Sequence, residues 1–172
     1  MAELGVLGSA FNPPHLGHLS LLSAAVEQVC LDEVIVVPTG DSYHKEVDED
    51  PGRATRFRLA EAAFAGFPGV SVSAIEVDRD GPSYTCDTLE GIEDLYPDSE
   101  IHLLMGADSA KGFAGWHRPE RILELAIARV ALVGEERLLL APVDEVRFPV
   151  VAPAAGEAER LEAHRFERAV SG

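Results

Sequence analysis

Apolar residues along the chain alternate between short continuous runs and a helical spacing of three and four. The runs are rich in Val, Ile and Leu, which is typical of strands that are buried on both faces. They predict strands over residues 4–7, 33–37, 70–77, 101–105 and 128–133. The helical spacing predicts helices from residue 16 to about residue 30 and over residues 53–67, 84–96 and 120–126. Ser83 is the predicted N-cap of the third helix.

This alternation predicts a single α/β domain over residues 1–172, with a parallel sheet and helices on both faces. Beyond residue 133 the pattern weakens: residues 137–141 and 146–151 are strand-like, and residues 154–170 resemble a helix of mixed charge. In such sheets a ligand binds at the carboxyl ends of the strands. Segments 8–18, 38–45 and 106–108 follow predicted strands and are therefore expected to lie together.

Composition and charge limit the classes of partner. The residues are 47% hydrophobic and 26% charged, as in a globular protein, and the formal net charge is −16, from 14 basic and 30 acidic residues. Such a surface repels nucleic acid and anionic membrane, so we expect neither as a partner. No apolar run approaches the ~20 residues of a membrane span and no signal peptide is visible, so we expect a cytoplasmic protein. Cys30 and Cys86 lack metal-type spacing and are expected to be small core residues.

The N-terminal segment carries the clearest chemical signal. An apolar strand enters a glycine-bearing turn, after which His15 and His18 open a helix. Residues at i and i+3 share a helix face, so both imidazoles can point at one anion beside the helix N-terminus. An H-x-x-H pair can also cap or pack, or form half of a metal site, but zinc would need further Cys or His ligands and none is near. We therefore expect a phosphate cradle and no protein-bound metal.

Four segments resemble motifs of one enzyme family. Residues 8–18, G-S-A-F-N-P-P-H-L-G-H, resemble the G-x-F-x-P-x-H-x-G-H signature of the nucleotidyltransferases with H-x-G-H motifs. Residues 43–45, Y-H-K, resemble the P-P-H-K loop of bacterial nicotinate-nucleotide adenylyltransferases, although Ser42 and Tyr43 stand where prolines are usual. Residues 76–89, E-V-D-R-D-G-P-S-Y-T-C-D-T-L, are similar to the family's E-x-x-R-x-G-x-S-Y-T-x-D-T-L. The sequence G-A-D-S at residues 106–109, with Trp116 downstream, completes the match.

The resemblance implies a Rossmann-like, doubly wound fold and an enzyme of NAD biosynthesis. The implied reaction transfers the adenylyl group of ATP to nicotinate mononucleotide, giving deamido-NAD and pyrophosphate, with Mg²⁺ bridging the departing phosphates. His15 and His18 would be the catalytic residues, donating hydrogen bonds to phosphoryl oxygens. The ATP-binding residues would be these two histidines with Gly8, Ser9, Ala10, Phe11, Gly106, Asp108 and Ser171. By its position alone, Asp108 could equally cap a helix.

For the mononucleotide, the resemblance implies that the pyridine ring stacks on Trp116. Backbone N–H groups near Thr85 and after the tryptophan would hold its carboxylate. The residues assigned to this half are Lys45, Ser83, Tyr84, Thr85, Trp116 and His117. The residues by themselves leave other roles open, since Trp116 could be a core anchor, Tyr84 could pack on a helix face and Lys45 could be a solvated loop lysine.

A third family motif, I-S-x-T-x-I-R, does not occur inside the chain. Residues 170–172, V-S-G, suit its first three positions, so we expect the chain to end inside this phosphate-binding motif. Two alternatives stay open: an adenylyltransferase that acts on nicotinamide mononucleotide, and a nucleotide-binding homologue with weak or no catalysis. The expected partners are the small molecules ATP and nicotinate mononucleotide, and the sequence leaves homo-oligomerisation open.

Overall fold

The computed structural model describes residues 1–41, 49–133 and 138–146. Several predicted features lie outside these ranges: the Y-H-K segment with Lys45, the strand-like segment beyond Val146, the helix over residues 154–170, and Ser171. None of the described helices combines the length and the apolar character that crossing a bilayer requires.

Within the described ranges, six strands form one sheet that is parallel except at one edge. They are β1 (Ala2–Ser9), β2 (Glu33–Pro38), β3 (Val70–Val72), β4 (Ser99–Gly106), β5 (Ile127–Val133) and β6 (Leu138–Pro142), in the order β3-β2-β1-β4-β5-β6. Strand β6 pairs antiparallel with β5, and the other neighbours pair in parallel. The connection from β5 to β6 is too short for a crossover helix, which favours the antiparallel pairing. The predicted α/β fold with a parallel sheet is confirmed.

Five α-helices in the described part of the chain cover the two faces of this sheet. They are α1 (Leu16–Val29), α2 (Arg53–Phe64), α3 (Thr85–Leu95), α4 (Ala107–Lys111) and α5 (Pro119–Leu125). Alternate strand residues face opposite ways, so Val6 joins a core with α3 and α5, whereas Leu7 joins a second core with α1 and α2. This two-sided burial explains why the strands read as continuous apolar runs.

The predicted strand over residues 70–77 is wrong beyond Val72. After Ser73 the chain forms turns, in which the Ile75 N–H donates to the Ser73 hydroxyl (3.3 Å) and the Asp78 N–H donates to the Ala74 carbonyl (2.8 Å). Strand β3 is at the sheet edge and pairs only with β2, so few ladder hydrogen bonds oppose these local turns.

Three smaller predictions also differ from the structure. Ser83 is not the N-cap of α3; that position is Tyr84, and the Ser83 hydroxyl accepts from the Gly40 N–H instead (3.1 Å). The second helix ends at Phe64 rather than at residue 67. Cys30 is exposed at the end of α1, where its backbone adopts the left-handed conformation (φ 58°), whereas the predicted burial of Cys86 is confirmed.

Strand β1 lies between β2 and β4 in the sheet. The chain builds β2 and β3 on one side of β1 and then returns to build β4 on the other side. The loops that leave β1 and β4 therefore diverge onto opposite faces, which opens a crevice at the carboxyl ends of the two strands.

Candidate active site

A cavity of about 610 Å³ occupies this crevice. It is lined by residues that follow β1, β2 and β4 and by residues at the start of α3. The sequence-predicted residues that line it are Gly8, Ser9, His15, His18, Ser83, Thr85, Gly106, Asp108 and Trp116. Segments that are up to a hundred residues apart in the sequence thus meet at the edge of the sheet where we expected them.

The turn between β1 and α1 is anchored by Phe11, whose side chain is fully buried. Its backbone has a positive φ of 50°, which directs the ring away from the cavity and into the core. There it contacts His18 (ring centroids 4.7 Å apart) and Phe64 (5.6 Å). The Phe11 side chain therefore packs against the imidazole of His18 from the core side.

Both histidines are held by the backbone at the N-terminus of α1. The His15 Nδ1 accepts from the Gly17 N–H (3.1 Å), and the His18 Nδ1 accepts from the His15 N–H (3.2 Å). A nitrogen that accepts in this way carries no proton, so the proton of each neutral imidazole lies on Nε2. The His18 Nε2 lies 3.0 Å from the Ser9 hydroxyl, which accepts from it. The helix cap thus selects the Nε2–H tautomer of both rings.

The two rings stack on each other, with centroids 3.8 Å apart and planes inclined by 22°. Burial and, to a lesser degree, the neighbouring His15 lower the pKa of His18 to about 4. His18 is therefore neutral at pH 7 and still donates through Nε2. In the described part of the lining there is no lysine or arginine. The donors near the N-terminus of α1 are the imidazoles, the Ser9 hydroxyl and backbone N–H groups beside the positive end of the helix.

The opposite side of the cavity is formed by the start of α3 and the segment after α4. Thr85 begins α3, and Tyr84 stacks on His117 with ring centroids 4.1 Å apart. Trp116 is half-buried and packs against Phe113 (ring centroids 5.3 Å apart) while also lining the cavity. The tryptophan is thus both a partial core anchor and a cavity wall. Tyr84 and His117 do not line the cavity, but their stack ties the tryptophan segment to the start of α3.

Asp108 lies in the first turn of α4, directly after β4. It does not cap that helix: the N-cap is Gly106, and no side-chain cap hydrogen bond is made there. The carboxylate is 99% exposed, and within the described ranges its ion pair is with the Lys111 ammonium (3.1 Å). A carboxylate with this exposure at the cavity mouth is accessible to a polar ligand.

Comparison with known proteins agrees with this arrangement. The cytidylyltransferase-like family profile matches residues 6–160. A protein of Albidiferax ferrireducens named probable nicotinate-nucleotide adenylyltransferase is 44% identical over 76% of this chain and 66% of its own length. A protein of the same name from Salinibacter ruber is 38% identical over 83% of this chain and 80% of its own. The chain belongs to the cytidylyltransferase-like family. The resemblance to the nicotinate-nucleotide adenylyltransferases is also confirmed.

Solved structures of relatives share the fold of this family member. A nicotinic acid mononucleotide adenylyltransferase of Plasmodium falciparum, solved with NaAD, has a TM-score of 0.63 at 15% identity and covers 76% of this chain and 64% of that one. At this identity the likeness shows the Rossmann-like fold alone. The chain spans about two thirds of the length of the Albidiferax relative, and 57% of that of a relative from Maridesulfovibrio salexigens.

Two polar residues of the cavity were not predicted as site residues. Glu76 is 7% exposed, and its carboxylate accepts from the Thr88 hydroxyl (2.7 Å). Burial raises the pKa of Glu76, while hydrogen bonds from Thr88 and Ser83 oppose the rise. Both residues line the cavity, and in the motif over residues 76–89 Glu76 belongs to the E-x-x-R part and Thr88 to the D-T-L part. That motif was the signal that could have placed them here.

A third missed residue, Arg56, does not line the cavity but lies behind its wall. Its side chain is 3% exposed, and it shares the buried face of α2 with Ala60 and Phe64. The signal in the sequence was the position of this charged residue, four residues before Ala60 and eight before Phe64, on the apolar face of the helix.

Two groups of side chains in the described ranges have the spacing of metal ligands. Glu3, Glu100 and His102 lie at the amino ends of β1 and β4, and Cys86, Asp87 and Glu90 lie on α3. Neither group lines the cavity. In the first group the His102 Nδ1 accepts from the Arg129 Nε–H (3.3 Å), so the ring's proton lies on Nε2, the nitrogen that faces the carboxylates.

Proposed function

We propose that the protein transfers the adenylyl group of ATP to nicotinate mononucleotide, giving deamido-NAD and pyrophosphate. The observation that carries this proposal is the pair of imidazoles whose Nδ1 atoms accept from the backbone, which leaves both Nε2–H groups as donors where β1 meets α1. The position of the cavity at the switch point of the sheet supports a nucleotide ligand. The names of the curated relatives support this pair of substrates.

In the proposed reaction, the 5′-phosphate of the mononucleotide attacks the α-phosphorus of ATP. A new P–O bond forms, and the bond from the α-phosphorus to the oxygen that bridges to the β-phosphate breaks. The attacking phosphate is already anionic, so no side chain must remove a proton from it. The protein has to align the two substrates and offset charge on the phosphoryl oxygens. His15 and His18 do this as catalytic residues.

The ATP half comprises the turn after β1 and the end of β4. The phosphates bind to backbone groups of Gly8, Ser9, Ala10 and Phe11. Gly106 leaves room for the nucleoside because it has no side chain, and Asp108 binds a ribose hydroxyl. Mg²⁺ would enter with ATP as part of that substrate and would offset the charge of the departing phosphates. Ser171, outside the described residues, belongs to the same half of the proposal.

The mononucleotide half comprises the start of α3 and the tryptophan segment. The pyridine ring stacks on Trp116, and backbone N–H groups of Thr85 and His117 hold its carboxylate. Ser83 and Tyr84 support this half, and Lys45, outside the described residues, adds a cation. The half-buried position of Trp116 in the cavity wall supports the stacking role. We propose the cytoplasm, where ATP is available, as the site of the reaction.

Pyrophosphate release by the purified chain tests the reaction directly. We expect release with ATP and nicotinate mononucleotide together, none with either alone, and deamido-NAD as the product by mass spectrometry. The kcat/KM for nicotinamide mononucleotide should be at least ~10-fold lower, since a site that binds a carboxylate discriminates against an uncharged amide. A preference for the amide would overturn the substrate assignment. ATP binding without turnover would identify a nucleotide-binding homologue instead.

Replacing Trp116 by Ala tests the mononucleotide half. Stacking of an aromatic ring on a base-like ring contributes about 1–3 kcal/mol, so we expect the mononucleotide KM to rise roughly 5- to 150-fold. The KM for ATP should stay within about threefold. The matched control is Trp116→Phe, which keeps a stacking surface and should lose much less. Equal increases in both KM values would contradict the assignment.

A further inference from the structure

Arg56 makes more hydrogen bonds than the other described side chains near the cavity, although it does not line the cavity itself. Arg56, on α2, is almost fully buried, and all three of its guanidinium nitrogens have partners. Its Nη1 donates to the carbonyls of Ala10 (3.1 Å) and Thr39, and its Nη2 donates to the carbonyl of Gly40 (2.8 Å). Its Nε donates to the Asp50 carboxylate (2.9 Å), which supplies the opposite charge.

These acceptors belong to different loops. Ala10 lies in the turn between β1 and His15, whereas Thr39 and Gly40 directly follow β2. Ala10 and Arg56 are 46 positions apart in the sequence, and among the described residues the guanidinium provides the hydrogen bond between this turn and α2, beside the apolar contact of Phe11 with Phe64. The planar guanidinium can serve several acceptors in fixed directions, which a lysine ammonium on a flexible stem cannot do.

The hydrogen bonds continue from Gly40 to the other half of the cavity. The Gly40 N–H donates to the Ser83 hydroxyl (3.1 Å), and Ser83 in turn supports the carboxylate of Glu76. The Ser83 N–H also donates to the Asp41 carbonyl (2.9 Å). A continuous set of polar contacts therefore runs from the turn that carries the histidines, through Arg56 and the end of β2, to the start of α3.

We propose that Arg56 is a positioning residue that sets the distance between the histidine turn and the start of α3. This inference rests on the proposed function, in which the first segment holds ATP and the second holds the mononucleotide. The in-line attack depends on the relative placement of the two substrates, and a misplacement of about 1 Å can cost about 10²-fold in rate. Arg56 touches neither substrate and acts through the backbone carbonyls that it holds.

The first test is Arg56→Lys, which keeps the positive charge and removes the planar guanidinium with its several N–H donors. We expect kcat per folded molecule to fall about 30- to 300-fold while the KM for each substrate changes by less than about threefold. The folded fraction is measured by circular dichroism at the assay temperature, so loss of folded protein is not counted as loss of kcat. The matched control is Arg58→Lys on the exposed face of the same helix, which should behave like wild type.

A second variant, Asp50→Asn, weakens one partner of Arg56 without touching the loops. Asp50 is 39% exposed and far less buried than Arg56, so this variant should fold even if Arg56→Lys does not. We expect an intermediate loss of kcat, about 3- to 10-fold, again with the KM values preserved. Wild-type kcat per folded molecule in both variants would overturn the proposal.

Amide hydrogen exchange on the free protein gives a readout that needs no substrate. The N–H groups of His15, Gly17 and Gly40 donate to the side chains of His18, His15 and Ser83, and the Thr39 N–H donates to the Ser9 carbonyl. In Arg56→Lys we expect faster exchange in peptides covering these residues and wild-type protection in β1 and β4. Faster exchange throughout the sheet would mean a general structural role and would overturn the proposal. If wild type releases no pyrophosphate, the proposed reaction fails while the exchange result still decides the role of Arg56.

Discussion

Among the described glycines near the cavity, Gly40 is the one whose replacement by alanine should lower the free energy of unfolding most. Gly40 is buried, and a Cβ placed there would lie 2.2 Å from the Glu76 carbonyl oxygen and 2.9 Å from the Ser83 hydroxyl. Ordinary van der Waals contact begins at 3.4 Å, so the backbone after β2 has to move by about 1 Å in Gly40→Ala. The atom it meets first belongs to the backbone and cannot rotate away as a side chain could.

The cost of this substitution follows from two contributions. Overpacking of a tight site costs about 1–3 kcal/mol. The movement also strains the hydrogen bonds that Gly40 makes with Ser83 and Arg56, which adds about 1 kcal/mol. The free energy of unfolding should therefore fall by about 2–4 kcal/mol. For a chain of this size that lowers the Tm by roughly 4–16 °C.

Thermal unfolding followed by circular dichroism measures this change. The control is Gly66→Ala, because Gly66 is exposed and has no heavy atom within 4 Å of an added Cβ, so its Tm should stay within about 2 °C of wild type. A Gly40→Ala protein with the Tm of the control would show that the contact with Glu76 is not present in the folded protein. It would thereby refute the close approach of the two loops.

Three further predictions concern the cavity residues. His18→Ala should lower turnover at least ~10²-fold with the fold intact, as for loss of one preorganised donor, and near-normal turnover in the pyrophosphate assay would contradict its role. The His18 ring should titrate near pH 4 by NMR, and a midpoint near 6.5 would be inconsistent with its burial. Between pH 6.5 and 4 the unfolded state binds more protons at this residue than the folded state. The contribution of His18 to the free energy of unfolding is therefore lost as the pH falls through that range. Thr88→Val removes a donor from the Glu76 carboxylate, so its pKa should rise further and stability should fall by about 1–3 kcal/mol, more at pH 7 than at pH 5 in urea titrations. A loss that does not increase with pH would mean that the Thr88 hydroxyl does not favour the charged form of Glu76.

The main elements of the fold could be predicted from the sequence because they depend on local patterns. The apolar run that forms β2 is buried on both faces, and the spacing of Leu19, Leu22 and Val26 matches one side of α1. Where the local pattern was ambiguous, prediction was wrong. Residues 73–77 have the composition of a strand, but Ser73 hydrogen-bonds to the following backbone, and the strand stops at Val72.

The same division applies to the site. The proximity of His15 and His18 follows from their spacing of three at the start of one helix. The resemblance of residues 76–89 and 106–109 to family motifs identified further candidate residues on other segments of the cavity. Lys45 and Ser171 lie outside the described residues and stay predictions. The buried Arg56 and the tight contact at Gly40 could not be predicted, because their partners lie in other loops far along the chain.

The sequence by itself therefore determined most of the helices and strands and identified His15 and His18 as candidate phosphate-binding residues, since helical and strand periods and capping depend on neighbours within a few positions. Only the tertiary structure decided which of these residues line one cavity and which buried groups hold the loops around it. Those properties depend on contacts made in the assembled crevice, where Arg56 and Gly40 meet groups that no local pattern identifies as their partners.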